Sequence, residues 1–417
     1  MDLADLTSRL VQLTPSGTGL LRSEIDRAIP SRPFRLEFWD GTALPATTDD
    51  APSFVIQSPE ALAQFLRSPD QLGLGRAYVN GTITVDDLDA AFIVVDTWEP
   101  PPIGVAARVR LTAAALAACR PWALPRTPDL ELILDGERHT IDRDKEAIRY
   151  HYDVGNDFFA LFLDPSMTYS CAIFSRGAKT LEEAQRTKLD LVATKLGLKE
   201  GDRVLDVGCG WGSFAVHAAR EYGAKVLGIT ISDEQAALGR ERIAGMGLSD
   251  QIEIRVADYR EITDDPFDAI ASIGMVEHVG ENQIDRYAET LAKLLKPTGV
   301  LLNHGIAVLS PDDDPLEDIF STRYVFPDGE PLALSRIQLA FERAALETHH
   351  VEGFGRDYAT TLRHWHNNLD ARLADAEAIA GVERTRIWRL YLRAARHGFE
   401  VGFTNVYQVL ARHRDQH

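Results

Sequence analysis

The sequence predicts an α/β protein, a doubly wound and mainly parallel sheet with helical additions, preceded by a small α+β N-terminal domain. Three observations predict it. From about residue 185 onward, short apolar runs alternate with helix-patterned segments, the rhythm of a parallel sheet covered on both faces. One of those runs, 204–207, ends in glycines at alternate positions, Gly208, Gly210 and Gly212, which lets a strand end approach a ligand without steric penalty. Residues 1–120 lack this alternation and carry hairpin signals instead.

In the N-terminal domain, 34–39 alternates as a strand and Asp40-Gly41 follows as a hairpin turn. A second short strand covers 54–57. Ser58 then stands in the cap position of a helix over 59–66, with Pro59 at its first position. Residues 71–85 read as a glycine-hinged turn leading into a strand, and 87–95 and 106–118 read as helices. Prolines at 121, 125 and 128 make 121–144 an extended linker or ordered coil. The second domain is expected over 145–417.

There the expected strands are 204–207, 225–230, 253–257, 267–273 and 299–304, with helices over 214–222, 234–246 and 283–295 between them. Residues 312–315 form an acidic, turn-rich loop. Helices follow at 334–346, 358–373 and 382–399. The last carries Arg384, Arg386, Arg389, Arg393 and Arg396 among Ile387, Trp388, Leu392 and Phe399. Such a helix can lie on a membrane surface or show a solvated face over a helical core.

A formal net charge of −19 argues against nucleic acid, whose binding rests on Lys and Arg neutralising phosphates. It also argues against whole-molecule attraction to anionic lipid, so docking on a membrane would need a local patch. No apolar run approaches the ~18–20 residues that span a bilayer, and residues 1–6 are acidic rather than signal-like. A cytoplasmic enzyme is the expectation. Cys119, Cys171 and Cys209 are too few and too scattered for a disulfide framework or a zinc site, so no metal is expected.

The expected strand ends carry the candidate chemistry. The spacing Gly208-x-Gly210-x-Gly212, with Asp206 before it, differs from the G-x-G-x-x-G of dinucleotide sites. It is similar to the first motif of S-adenosylmethionine-dependent methyltransferases. The next strand end offers the neutral Thr230, Ser232 and Gln235. The one after it offers Asp258, which can accept from an adenine amino group, and Tyr259.

Two further segments bear on the reaction: 151–159 (HYDVGNDFF) with 167–174 (MTYSCAIF), and 274–280 (GMVEHVG). With LDVGCGWG, GITIS, RYVFPDG and FGRDYATTLRHW, these motifs resemble the cyclopropane-fatty-acyl-phospholipid synthase family, which includes the mycolic acid cyclopropane synthases. The likeness runs from about 147 to 410. It implies a Rossmann-like methyltransferase sheet, S-adenosylmethionine as methyl donor, and an unsaturated phospholipid acyl chain as acceptor. It also implies bicarbonate as base, held by Cys171, Gly274, Glu277, His304 and Tyr358, and cofactor contacts at Tyr169, Ser170, Gly208, Gly210, Thr230, Gln235 and Tyr259. The strand-end argument adds Asp206, Gly212, Ser232 and Asp258. Singly, Cys171 reads as a small buried residue and His304 as a strand-end histidine; only the joint pattern marks a site.

Methyl transfer to an alkene leaves a cation on the neighbouring carbon, and ring closure needs a base within ~2.6–3.2 Å of the new methyl, or one water away. Loss of a proton elsewhere would give a methylene or methyl branch. A third alternative is a non-catalytic lipid- or cofactor-binding module. Peripheral contact with a membrane surface is expected, and the N-terminal domain is expected to bind lipid or form a homodimer.

Overall fold

The computed structural model describes residues 18–68, 70–119, 127–132, 134, 136–152, 154–310 and 319–414. The chain divides into two compact units, Met1–Glu131 and Leu132–His417. In the first, β1 (Arg35–Phe38), β2 (Ala43–Leu44), β3 (Ser53–Ile56) and β4 (Ile83–Val85) form a sheet in the order β2-β1-β3-β4. The hairpin at Asp40-Gly41 forms as expected: Gly41 takes φ +76° and Asp40 Oδ1 accepts from the Thr42 amide at 3.0 Å.

The glycine-hinged turn does not form. Gln71–Val79 is a helix, capped by the Asp70 carboxylate, which accepts from the Gly73 amide at 3.0 Å. A Cβ on Gly73 would stand 1.9 Å from the Ser68 carbonyl oxygen, so the glycine is there for close packing at the helix start. Ser58 does stand at the cap position of helix Pro59–Arg67, but its hydroxyl turns to the Glu60 carboxylate at 2.6 Å and caps nothing. Of the expected linker, residues 121–126, 133 and 135 lie outside the described residues. Residues 141–144 open helix Ile141–Tyr152.

The second unit is built on β5 (Arg203–Val207), β6 (Lys225–Thr230), β7 (Ile252–Val256), β8 (Phe267–Ile273), β9 (Leu295–Val308), β10 (Leu346–Gly353) and β11 (Thr404–His413). Their order is β10-β11-β9-β8-β5-β6-β7. β5 to β9 pair in parallel, while β11 runs antiparallel to both β9 and β10. The expected strands are present, but β9 is longer than 299–304 because β11 pairs along it from Val300 to Val308. β10 and β11 were not expected.

Successive side chains on a strand point to opposite faces, so strands apolar throughout must be covered twice. Leu205, Leu227, Ile270 and Leu301 pack on one side against helix Ile284–Leu294. Val204, Val226, Ala269 and Leu302 pack on the other against helices Leu181–Leu196 and Ser213–Tyr222.

Helix Val382–Val401 packs Ile387, Trp388, Leu392 and Phe399 into a helical core as expected, but its arginines are half-buried or buried and form no solvated face. Arg393 and Arg396 are buried; Arg389 and Arg393 share the Asp370 carboxylate at 2.7 Å each, and Arg396 meets His366 at 2.8 Å. These pairs hold it against helix Gly355–Ala371, the two together walling the site. The acidic loop at 312–315 lies outside the described residues. Among the described residues no helix is long and apolar enough to cross a membrane.

Candidate active site

β5 lies between β6 and β8, where the order of strands along the chain reverses, and ligands in such sheets bind at the carboxyl ends beside that reversal. Gly208, Gly210 and Gly212 take φ of +73°, +55° and +81°, which residues with a Cβ rarely adopt. The amides of Gly208 and Cys209 both donate to the Ile229 carbonyl, at 3.0 and 2.9 Å, folding the turn across the end of β6. Beside it is a cavity of about 120 Å³ lined by Gly208, Gly210, Thr230, Gln235, Asp258 and Tyr259.

The other strand-end residues support this cavity from behind. Gly212 caps helix Ser213–Tyr222, and Ser232 caps helix Asp233–Gly245 by accepting from the Gln235 amide at 3.3 Å. Asp206 is buried, its Oδ2 unpartnered among the described residues; burial lifts its carboxyl to about 7, opposed by the nearby Lys188 ammonium. Asp258 has both oxygens on the Arg260 guanidinium at 2.7 Å, and Arg260 also reaches Asp144 at 2.7 Å, so an adenine contact would share an ion-paired carboxylate.

The turn depends on Gly228 of β6, where a Cβ would lie 2.7 Å from Ile254 Cδ1 and 3.0 Å from the Cys209 side chain. Gly228→Val is expected to displace the turn. Overpacking of this kind costs ~1–3 kcal/mol, and if that falls on the turn, cofactor affinity drops about tenfold. Calorimetry on folded protein checks this; unchanged affinity would show that the turn absorbs the added bulk.

A second cavity, of about 190 Å³, adjoins the first, because Tyr152, Gly274 and His278 line both. Its wall is aromatic, with Tyr169, Phe326, Tyr358, Tyr391 and Phe399, and Glu277 is on it. The Tyr358 ring stands 4.6 Å from Phe399 and 6.0 Å from Trp365, centroid to centroid. Burial pushes the Tyr358 and Tyr169 hydroxyls well above their usual range, so both are neutral. Tyr169 is on this wall and does not line the cofactor cavity.

Glu277 Oε2 and His304 Nε2 are both buried without a hydrogen-bond partner among the described residues. Burial raises the Glu277 carboxyl to about 7 and, with Lys188 and Lys195 adding to the effect, lowers His304 to about 3, leaving a neutral imidazole. β8 and β9 bring these residues together: the Gly274 amide donates to the His304 carbonyl at 2.8 Å, and a Cβ on Gly305 would lie 3.2 Å from Glu277 Oε2. Orphaned polar atoms on a carboxyl and an imidazole, carried at the ends of the paired strands β8 and β9, suit a small guest that can both give and take hydrogen bonds, as bicarbonate can.

Cys171 and Ser170 lie behind this wall. The Cys171 thiol is fully buried and directed at the carbonyls of Ala172 and Phe354, at 3.3 and 3.7 Å, and burial holds it protonated. Any contact from Cys171 to a guest would therefore come from its backbone. Ser170 Oγ is engaged by the buried Lys188 ammonium at 2.9 Å.

Tyr152 and His278 lie in quoted motifs, but their place at the junction of the cavities needed the fold. Tyr391 carried no signal, since it stands in a helix that reads as basic and amphipathic. Lys188 carried none either, since a lysine on an amphipathic helix reads as solvated.

The model of the family described as mycolic acid cyclopropane synthetase matches residues 139–409. A probable fatty acid methyltransferase of Pseudomonas putida is 38% identical over 91% of this chain and 91% of its own length. The cyclopropane-fatty-acyl-phospholipid synthase of Escherichia coli strain K12 is 34% identical over 88% and 89%. A crystal structure of a mycolic acid cyclopropane synthase complexed with SAH and CTAB is 33% identical, with a TM-score of 0.61, covering 64% of this chain and 97% of that one. Those matches and the paired cavities lead to one conclusion: the chain belongs to the mycolic acid cyclopropane synthetase family and is an S-adenosylmethionine-dependent methyltransferase of the cyclopropane synthase type.

Proposed function

We propose that the chain is a cyclopropane-fatty-acyl-phospholipid synthase, adding one carbon from S-adenosylmethionine across the cis double bond of an unsaturated phospholipid acyl chain at a membrane surface. One observation carries the reading: an aromatic-walled cavity, with the orphaned carboxyl of Glu277 on its wall, adjoins the glycine-turn cavity.

Gly208, Gly210, Thr230 and Gln235 would hold the cofactor, which supplies an electrophilic methyl. The junction at Tyr152, Gly274 and His278 would orient that methyl toward the alkene. Tyr152, Tyr169, Tyr358 and Tyr391 would face the cation that develops on the acyl chain, each π face giving ~0.5–2 kcal/mol, and their bulk excludes water that would quench it. His304 Nε2–H and the Tyr358 hydroxyl would donate to bicarbonate, and Glu277, poised at about 7, can donate or accept. When bound, bicarbonate supplies the proton acceptor that ring closure requires. A protein carboxylate in that place would itself be open to alkylation.

The 38% identical relative favours a second reading, a fatty-acyl methyltransferase that makes a methyl- or methylene-branched chain. The two are separated by incubating the protein with S-adenosylmethionine and vesicles of a cis-monounsaturated phospholipid, then taking a proton NMR spectrum of the lipid. Ring methylene protons are expected. Vinylidene or new methyl-doublet signals without ring protons would establish the branched product instead.

A further inference from the structure

β11 places Gln408 opposite His304 of β9, and both are buried. Gln408 Nε2 and His304 Nδ1 are 3.0 Å apart. On the other side of the amide, Lys195 Nζ donates to Gln408 Oε1 at 2.7 Å. Lys195 is held in turn by Glu352 at 2.6 Å, and Glu352 by Arg176 at 2.5 Å. The line thus runs from half-exposed Arg176 to a fully enclosed imidazole.

The direction of every hydrogen bond in this line follows from one residue. An ammonium donates and never accepts, so the amide oxygen must face Lys195 and the NH₂ must face His304. His304 Nδ1 must then accept, and an accepting nitrogen carries no proton. In a neutral imidazole the proton is therefore on Nε2, the atom left without a partner among the described residues. The Phe354 ring lies parallel to the imidazole within 12°, with centroids 6.4 Å apart, and Lys195 Nζ stands 5.5 Å from that ring.

We propose that Gln408, oriented by Lys195 and Glu352, is a positioning residue that fixes His304 as the Nε2–H tautomer, so that Nε2 is a committed donor to an anionic guest. The tautomer stands on the geometry alone; its use rests on the reading of His304 as an anion ligand given above. If the tautomer reversed, Nε2 would present a lone pair to the anion. Tautomer errors of this kind next to a reaction centre are costly.

The test is nitrogen-15 NMR of the full chain labelled in histidine, with the His304 signals assigned by their loss in His304→Asn. The wild type is expected to show a bare Nδ1 and a protonated Nε2. In Gln408→Glu, a carboxylate replaces the amide and demands a donor, so Nδ1 is expected to gain the proton. Turnover is expected to fall about 10–100-fold, with KM for S-adenosylmethionine within about twofold. Lys195→Met, away from the enclosed end of the line, is the second variant. It frees the amide to turn over, and signals of both tautomers are expected. A protonated Nδ1 in the wild type, or a His304 spectrum indifferent to both substitutions in folded protein, overturns the proposal. A correct tautomer in a protein that transfers no methyl to any cis-unsaturated lipid leaves it standing and removes the proposed function instead.

Discussion

His304→Ala and Tyr358→Phe are expected to cut turnover by about 10²–10³-fold, the cost of removing one donor to charge at a reaction centre, while cofactor affinity changes little. Neither side chain lines the cavity beside the glycine turn, so neither contributes to holding the cofactor there. Tyr358→Phe removes only a hydroxyl and keeps the ring against Phe399 and Trp365. His304→Ala removes the Nε2 donor and leaves the Gln408 amide without its partner, so some stability is lost as well. Calorimetry for cofactor binding, set beside initial rates on unsaturated phospholipid vesicles, separates the effects. Loss of cofactor binding in both variants would make these residues structural and empty the proposed base site.

Glu277→Gln is expected to make stability less dependent on pH. Burial holds the folded carboxyl at about 7, above its ordinary value of 4.5. A raised acid favours the folded state below the unfolded pKa, and that favour is lost as pH rises through the folded one. Each pH unit between the two values is worth about 1.36 kcal/mol, so in bicarbonate-free buffer the wild type should lose roughly 3 kcal/mol between pH ~4.5 and ~7. Glutamine does not ionise, so the variant should gain on the wild type over that window, by several degrees in Tm. Parallel melting profiles for the two proteins from pH 4 to 8 would show that the carboxyl is not poised near neutrality.

The parallel sheet and its glycine turn were legible because both follow local rules. Buried parallel strands are short and apolar throughout, and a turn against a ligand asks for glycine at fixed offsets. Thr230, Gln235, Asp258 and Tyr259 were found from the strand ends for the same reason. β10 and β11 were hidden. Their burial alternates only in part, and their place beside β9 depends on pairings across roughly 50 to 110 residues. Helix Gln71–Val79 was missed because its glycines suit a turn until one sees that Gly73 packs against Ser68. Behind the site, Lys188 and Gln408 were invisible for a further reason: a polar residue enclosed among partners looks in sequence like one facing water. The five arginines of Val382–Val401 show the converse, since at least four of them face partners within the fold.

β11 also sets a timetable for the site during synthesis. Residues 204–278 can form the glycine turn and the strand ends early, yet Phe403 and Thr404 of the second cavity and Gln408 behind His304 arrive more than a hundred residues later. A chain emerging from the ribosome at ~5–20 residues per second spends several seconds or more able to shape a cofactor pocket while its acceptor chamber is unfinished. On the proposed mechanism, the wall that would exclude water from the cation is complete only when the antiparallel strand is laid against β9, so a half-made protein is expected to transfer no methyl.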